Sequence, residues 1–190
     1  KIERFIYTDN GYYYMPRQVL LVRQFDRTLD DLAELTQEAN GVLLYRPQGR
    51  YCPIEASYMT ARGNPGHVRA EEQRMDVVNE FFRRNPDYRF VKFHTHSKGT
   101  IRRFGEHFAT HFSDGDIRSY DEQLRTNPEF IGMVVTPETK LLYAQDKPTI
   151  RVVSGFPSEA NRRIHRELEE IKMELGYDFG PLTATRRPRQ

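Results

Sequence analysis

The spacing of hydrophobic residues changes along the chain, and each change of spacing marks a predicted element. Short runs of apolar and aromatic residues bounded by Gly, Pro, Asn or Asp predict β-strands. One pair of runs flanks Asp9-Asn10-Gly11, a sequence typical of a tight hairpin turn, and a second pair flanks the turn at 47–50. The predicted strands cover residues 4–8, 12–15, 41–46, 51–59, 88–96, 130–135, 139–144 and 149–153.

Apolar residues spaced three or four apart predict four helices. The first begins at the N-cap candidate Thr28 and the third at the N-cap candidate Ser113. The four helices are predicted to end at about Glu38, at Asn85-Pro86, at Asn127-Pro128 and before Gly176. Their predicted buried faces consist of Leu29, Leu32 and Leu35; Val68, Met75, Val78 and Phe82; Ile117, Tyr120 and Leu124; and Ile164, Leu168 and Ile171.

These strands and helices intermix without a regular strand-helix-strand alternation, which favours an α+β fold with a mixed β-sheet. A chain of 190 residues with 37% hydrophobic residues can bury one substantial core and is close to the usual size of one domain. We therefore expect a single domain over residues 1–180. The basic tail at 181–190 is predicted to be disordered.

Charge and cysteine content exclude several classes of function. The formal net charge is only +2, so neither a nucleic acid nor an anionic membrane is an expected partner. No apolar run approaches the roughly 18 to 20 residues of a membrane span. The lone Cys52 cannot form an internal disulfide, which suits a reducing, cytoplasmic location. No histidine lies near it in sequence to activate it as a nucleophile.

Potential metal ligands are concentrated in one stretch. His94 and His96 stand two residues apart at the end of a predicted strand, so both imidazoles should face the same side. A carboxylate at the start of the third helix, from Asp114 or Asp116, would complete the set. Two histidines and one aspartate suit zinc, with the fourth tetrahedral position left for water.

Three patterns along the chain together resemble the JAB/MPN domain metalloproteases, the JAMM family. They are Glu38-x-x-Gly41 before a strand, His94-Thr95-His96 at a strand end, and Ser113-x-x-Asp116-Ile117 at a helix start. The resemblance covers roughly residues 17–143. It implies the cytidine-deaminase-like JAB/MPN fold, in which a mixed β-sheet is flanked by helices.

The resemblance also implies a site and a reaction. Zn²⁺ would be bound by His94, His96 and Asp116, the last favoured over Asp114 by the S-x-x-D spacing. Glu38 would act as the general acid/base. Ser113 would donate a hydrogen bond to the developing oxyanion. The substrate would be a conjugate of ubiquitin or a ubiquitin-like protein, cut at the bond between modifier and target.

Other functions remain open for the same residues. One alternative is a non-catalytic scaffold subunit of the same fold. Another is a zinc hydrolase that acts on sulfur-carrier conjugates or on small peptides.

Two features depart from the family pattern. Ser97 follows His96 where the family usually has proline, and sixteen residues separate His96 from Ser113, more than in the family. The apolar members of this longer segment recur every four residues and predict one short amphipathic helix, which we expect to act as a lid over the groove. They are Phe104, Phe108 and Phe112.

His107 and His111 lie in the same segment and are also four residues apart. This spacing would allow both to bind one metal ion from a helix. The surrounding phenylalanines favour a packing role instead.

Overall fold

A computed structural model describes residues 5–8, 11–14, 16–63, 71–155, 159–180 and 182 of the chain. Strands and helices are mixed in this part of the protein, so the predicted α+β class is confirmed. The strands are β1 Phe5–Thr8, β2 Gly11–Tyr14, β3 Gln18–Val22, β4 Glu38–Tyr45, β5 Tyr51–Gly63, β6 Arg89–Thr95, β7 Ile131–Val135, β8 Lys140–Tyr143 and β9 Thr149–Val153. The α-helices are α1 Arg23–Ala33, α2 Glu72–Arg84, α3 Lys98–Phe104, α4 Asp114–Thr126 and α5 Glu159–Glu174.

Seven of the described strands form one mixed sheet in the order β8-β7-β6-β4-β5-β3-β9. β4 lies at its centre and pairs antiparallel with both β5 and β6. β6 and β7 are parallel, and α4 connects them along the chain. β1 and β2 pair separately as an antiparallel hairpin, as predicted around the Asp9-Asn10-Gly11 turn.

Side chains of β4 alternate between two cores, as the twofold repeat of a strand requires. Leu43 and Tyr45 pack with the apolar face of α1, whereas Val42 and Leu44 pack with α2 and α5 on the other side of the sheet. All eight residues of β4 are buried. The sheet is therefore covered by helices on both faces, and β4 and β6 are held firmly at its centre.

The first helix differs from its prediction. Thr28 is not an N-cap but lies inside α1, where its hydroxyl donates to the Gln24 carbonyl. The helix ends at Ala33, so Glu38 is not its last residue. Glu38 instead opens β4, because β5 extends as far as Gly63 and gives Glu38 a pairing partner.

The other helices agree better with their predictions. α4 is capped by Ser113 and ends at Thr126, with Asn127 as its C-cap, and α5 buries the three predicted apolar residues. In α2 the buried residues include Val77 and Phe81, whereas Met75 and Phe82 are only half-buried. The remaining predicted residue of that face, Val68, lies outside the described residues.

Two further predictions concern the burial of Ile117 and the disorder of the C-terminal tail. Ile117 of α4 is 37% exposed rather than buried, because the inner face of this helix is centred on Tyr120. The predicted disordered tail, apart from residue 182, lies outside the described residues. None of the helices in the described ranges is long and apolar enough to cross a membrane.

A buried ion pair joins the start of β3 to the turn before β9. Arg17 donates through Nε and Nη2 to the Asp146 carboxylate at 2.9 and 2.7 Å, and its backbone N–H adds a third bond of 2.8 Å. The side chains are only 10% and 3% exposed. Burial acts to raise the pKa of Asp146, but the hydrogen bonds from Arg17 outweigh it and leave the pKa lowered.

Asp146→Asn should lower the free energy of unfolding by about 3 to 5 kcal/mol at neutral pH, because it leaves the buried Arg17 charge uncompensated. Since the folded-state pKa is lowered, the stabilisation is complete above the ordinary pKa of aspartate and disappears as pH falls through the lower folded-state value. Denaturant unfolding at neutral and acidic pH measures this. The exposed Asp87→Asn is the control, and equal stability of the two variants at neutral pH would contradict the prediction.

Candidate metal centre

The predicted ligands come from two neighbouring elements of the fold. His94 lies in β6, and His96 follows its last residue, with its backbone N–H still bonded to Val135 of β7 at 2.9 Å. Asp116 lies in the first turn of α4. Because α4 returns the chain to β7, beside β6, its first turn lies over the end of β6.

The structure brings these three side chains together. The Nε2 atom of His94 is 2.9 Å from Oδ1 of Asp116, and that of His96 is 3.1 Å from Oδ2. One ligand atom from each of the three residues lies within 4.8 Å of the others, a spacing at which a metal ion could be held. Among the described residues, no other group of three or more potential ligands meets that condition.

The other ring nitrogen of each histidine is also hydrogen-bonded. Nδ1 of His96 is 3.1 Å from the Phe108 carbonyl, which can only accept, so Nδ1 carries the proton. Nδ1 of His94 is 3.0 Å from the Tyr120 hydroxyl. That hydroxyl donates to the Met133 carbonyl at 3.3 Å, so it accepts from His94. Both Nδ1 protons are therefore engaged, and both Nε2 atoms point at Asp116.

This arrangement requires a positive charge between the three groups, since two imidazole lone pairs and a carboxylate would otherwise repel one another. Protons on the two Nε2 atoms would supply this positive charge. A divalent cation would also supply it, and all three groups would then be its ligands. The donor set of two imidazoles and one carboxylate, with each histidine oriented by an outer hydrogen bond, fits a metal ion.

The pKa values of the site agree with this electrostatic reasoning. Burial acts to raise the pKa of Asp116, but hydrogen bonds from His94 and His96, with one from Ser113, hold it far below its usual range. Burial acts to lower the pKa of His96, but Asp116 raises it above the ordinary value. Burial raises the pKa of Tyr120 well above its usual value, so its hydroxyl keeps its proton.

Ser113 is tied to Asp116 by a reciprocal capping box. Its backbone N–H and its hydroxyl both donate to Oδ2 of Asp116 at 2.7 Å, and the Asp116 N–H donates back to Oγ at 3.1 Å. The cap thus fixes the orientation of the carboxylate. The hydroxyl proton that was predicted to face an oxyanion is directed at Asp116 in this arrangement.

Glu38, the predicted general acid/base, lines the same cavity as the three ligand candidates. It is only 4% exposed, and Oε1 accepts a hydrogen bond of 2.6 Å from the Thr100 hydroxyl. Its charge is one of the contributions that raise the pKa of His96. The structure therefore brings all five residues of the predicted site to one place.

The segment between His96 and Ser113 does not form the single amphipathic helix that was predicted. Gly105 has a φ of 113°, a conformation that favours glycine, and it separates α3 from a short 3₁₀ helix at Glu106–Ala109. Phe104 is 48% exposed as a result.

This segment supports the site rather than simply covering it. Thr100 of α3 bonds Glu38, and Phe108 of the 3₁₀ helix bonds His96 through its carbonyl. Ser97, which directly follows His96, is buried and caps α3. The lid hypothesis stays a prediction, but a deletion within the segment would also remove contacts of Glu38 and His96.

The cavity at the site has a volume of about 350 Å³. Sequence reasoning missed five of its polar residues, namely Asn40, Lys92, Thr100, Ser119 and Tyr120. Two of these residues could have been predicted from their spacing in the sequence alone. Lys92 lies two residues before His94 on a strand, and Tyr120 lies four residues after Asp116 on a helix, so each shares a face with a ligand candidate.

The competing candidates lie elsewhere. Asp114 is exposed and lies outside the cluster of His94, His96 and Asp116. His107 and His111 stack on each other with ring centroids 4.2 Å apart, and both are exposed. Cys52 is buried in the core on the α1 side of the sheet.

No protein-family model and no curated protein sequence matches this chain. Among solved structures, it is similar to the solution structure of protein DSY2949 from Desulfitobacterium hafniense. The TM-score is 0.47 and the identity 17%, over 76% of this chain and 98% of that one. Neither family nor function follows from similarity at this level, so function must be inferred from the site itself.

Asp116→Asn should abolish stoichiometric zinc binding. Losing an outer partner of a ligand already costs about 10- to 100-fold in metal affinity, and losing a charged ligand should cost more. Elemental analysis after dialysis and chelator competition measure the effect. Asp114→Asn, in the same helical turn but exposed, is the matched control. Equal zinc affinity of the two variants would contradict the assignment of Asp116.

Tyr120→Phe should weaken zinc binding by about 10- to 100-fold without unfolding the protein, because it removes the acceptor of the His94 Nδ1 proton. Tyr143→Phe is a suitable control. Its ring packs against Tyr120, but its hydroxyl donates to Asp121, at 2.7 Å. If both variants bind zinc as the parent does, Tyr120 does not orient His94.

Proposed function

We propose that this protein is a zinc-dependent hydrolase of the JAMM type, with the JAB/MPN fold, that cleaves the isopeptide bond between a ubiquitin-like modifier and its target. The observation that carries the proposal is the convergence of His94, His96 and Asp116 in one cavity with the buried Glu38. His94 and His96 at a strand end and Asp116 at a helix start also match the sequence pattern of that family, whereas Glu38 opens a strand instead of preceding one.

Zinc is the proposed metal because two imidazoles and one carboxylate form a common catalytic zinc set. Such an ion supplies a Lewis acid that polarises a scissile carbonyl and makes a water molecule more acidic. His94, His96 and Asp116 would hold it. Tyr120 and the Phe108 carbonyl orient the two imidazoles, and Ser113 orients the carboxylate.

Glu38 is the proposed general acid/base. Thr100 donates to Oε1 and so fixes the carboxylate at the edge of the cavity, and we assign proton transfer to Oε2. This oxygen would accept a proton from the attacking water and deliver it to the leaving amine. Burial excludes bulk water from the carboxylate, which strengthens its electrostatic interactions with the reacting groups.

Ser113 is the proposed hydrogen-bond donor to the developing oxyanion. Its hydroxyl would have to turn away from Asp116 to do so. The Ser113 backbone N–H also donates to Oδ2, so the carboxylate keeps a partner when the hydroxyl turns. One residue can therefore cap α4 and contribute to the reaction at different moments.

Two other functions are consistent with parts of the site. A non-catalytic scaffold would need neither Glu38 in the cavity nor histidines oriented by outer hydrogen bonds, so the complete set argues against it. A zinc hydrolase that acts on sulfur-carrier conjugates or small peptides would use the same residues, and only the substrate would differ. We propose a cytoplasmic location, because the chain has a single cysteine.

Glu38→Gln should keep stoichiometric zinc and lose turnover by about 10²- to 10⁴-fold, the usual contribution of a positioned acid/base group. The measurements are bound zinc and cleavage of a panel of ubiquitin-like conjugates and short peptides. Glu34→Gln is the control, since Glu34 is exposed and pairs with Lys98 outside the cavity.

Full activity of Glu38→Gln would refute the mechanism, and a parent without stoichiometric zinc would refute the metal assignment. A parent that binds zinc but cleaves only peptides would favour the alternative substrate. Bound zinc with no hydrolysis of any amide would favour the scaffold.

A further inference from the structure

Lys92 lies in the same cavity as the candidate metal ligands, and none of the roles above uses it. It precedes His94 by two residues on β6, so the two side chains project from the same face of the sheet. In the sheet it stands between Val42 of β4 and Gly132 of β7. Its position is therefore fixed by central strands rather than by a loop.

The charge of Lys92 has no counter-ion in the described part of the chain. No carboxylate there lies within ion-pairing distance of Lys92, although Glu38 and Asp116 line the same cavity. Those two carboxylates have other hydrogen-bond donors, Thr100 for the first and Ser113 with the histidines for the second.

Four other cations with little side-chain exposure in the described residues are paired, although Arg62 also has two buried guanidinium nitrogens without a hydrogen-bond partner there. Arg17, Arg74, Lys140 and Lys172 have side chains no more than 15% exposed, and each has a carboxylate oxygen within 2.9 Å. Lys92 is half-buried and faces a cavity instead. A charge that is partly withdrawn from water without a partner costs free energy, and an anionic ligand in the cavity would offset this cost.

The size of the cavity limits what the ligand can be. A volume of about 350 Å³ lies at the small end of the roughly 300 to 1,000 Å³ of ligand pockets. Residues two apart on a strand are separated by about 7 Å. An anionic group bound by Lys92 therefore belongs to the same short segment of substrate as the atoms held at the histidine cluster.

We propose that Lys92 determines specificity by binding a carboxylate of the substrate that lies within one or two residues of the scissile amide. The proposal rests on the hydrolase function above and names a feature of its substrate. The carboxylate is either a free carboxyl terminus or the side chain of a neighbouring Asp or Glu, and both present the same chemistry to the ammonium group.

The test compares three probes built on the isopeptide Nε-(acetyl-Gly-Gly)-lysine. The first has a free α-carboxylate, the second has a carboxamide, and the third has a carboxamide-capped Glu after the lysine. Binding to the zinc-depleted protein is measured by calorimetry, so the result does not depend on turnover. The parent should bind the first or the third probe about 10- to 100-fold more tightly than the second.

Lys92→Met should abolish this preference, and Lys92→Arg should retain part of it, since the charge is kept but its geometry changes. Zinc affinity of both variants should equal that of the parent. Lys98→Met is the matched control, because Lys98 is 45% exposed and pairs with Glu34.

Tighter binding of the first probe identifies a free carboxyl terminus as the recognised group, and tighter binding of the third identifies an acidic side chain. Equal binding of all three probes by the parent, no binding of any, or an unchanged preference in Lys92→Met would overturn the proposal. A carboxylate preference that depends on Lys92 in a protein without zinc or hydrolytic activity would refute the hydrolase and leave the Lys92 site standing.

Discussion

The candidate site depends on the position of one carboxylate. Asp116 receives hydrogen bonds from the backbone and hydroxyl of Ser113 and lies between the Nε2 atoms of His94 and His96. These contacts join the first turn of α4 to the end of β6. They also combine two stabilising effects at a helix start, since the carboxylate both completes the capping box and lies near the positive end of the helix dipole. A structural cap and a candidate metal ligand are thus the same group.

The packing of α4 on the sheet extends this constraint. Tyr120, one turn after Asp116, lies flat across Gly132 of β7, where an added Cβ would come within 2.8 Å of its ring. This close approach brings the hydroxyl to the Met133 carbonyl and to His94. The helix therefore contacts one histidine through Asp116 and Tyr120 together, while the 3₁₀ helix holds the other through Phe108. Rigid elements, rather than flexible side chains, set the ligand geometry.

The sequence was informative where chemistry follows local periodicity. His94 and His96 share a strand face, and the Ser113 to Asp116 spacing marks a helix start, so three ligand candidates could be chosen without the fold. The start of α1 could not be predicted in this way, because its N-cap residue, Val22, forms no side-chain cap and is not a residue type that marks a helix start. The partners of Glu38 and His96 depend on how residues 97–112 fold back on β4, which is a tertiary effect. Gly105 was the one local sign that this segment would break into two helices.

The sixteen-residue connection between the second histidine and the helix cap is anchored at both ends and in the middle. Thr136, just beyond β7, donates to the Ala109 carbonyl at 2.7 Å, while Ser97 and Thr100 attach its beginning to the rest of the fold. The entropy of closing a loop grows only slowly with its length. Insertions here can accumulate during evolution at little thermodynamic cost, provided that the anchors remain. Searches that fix the number of residues between two motifs would then overlook sites whose atoms still converge in space.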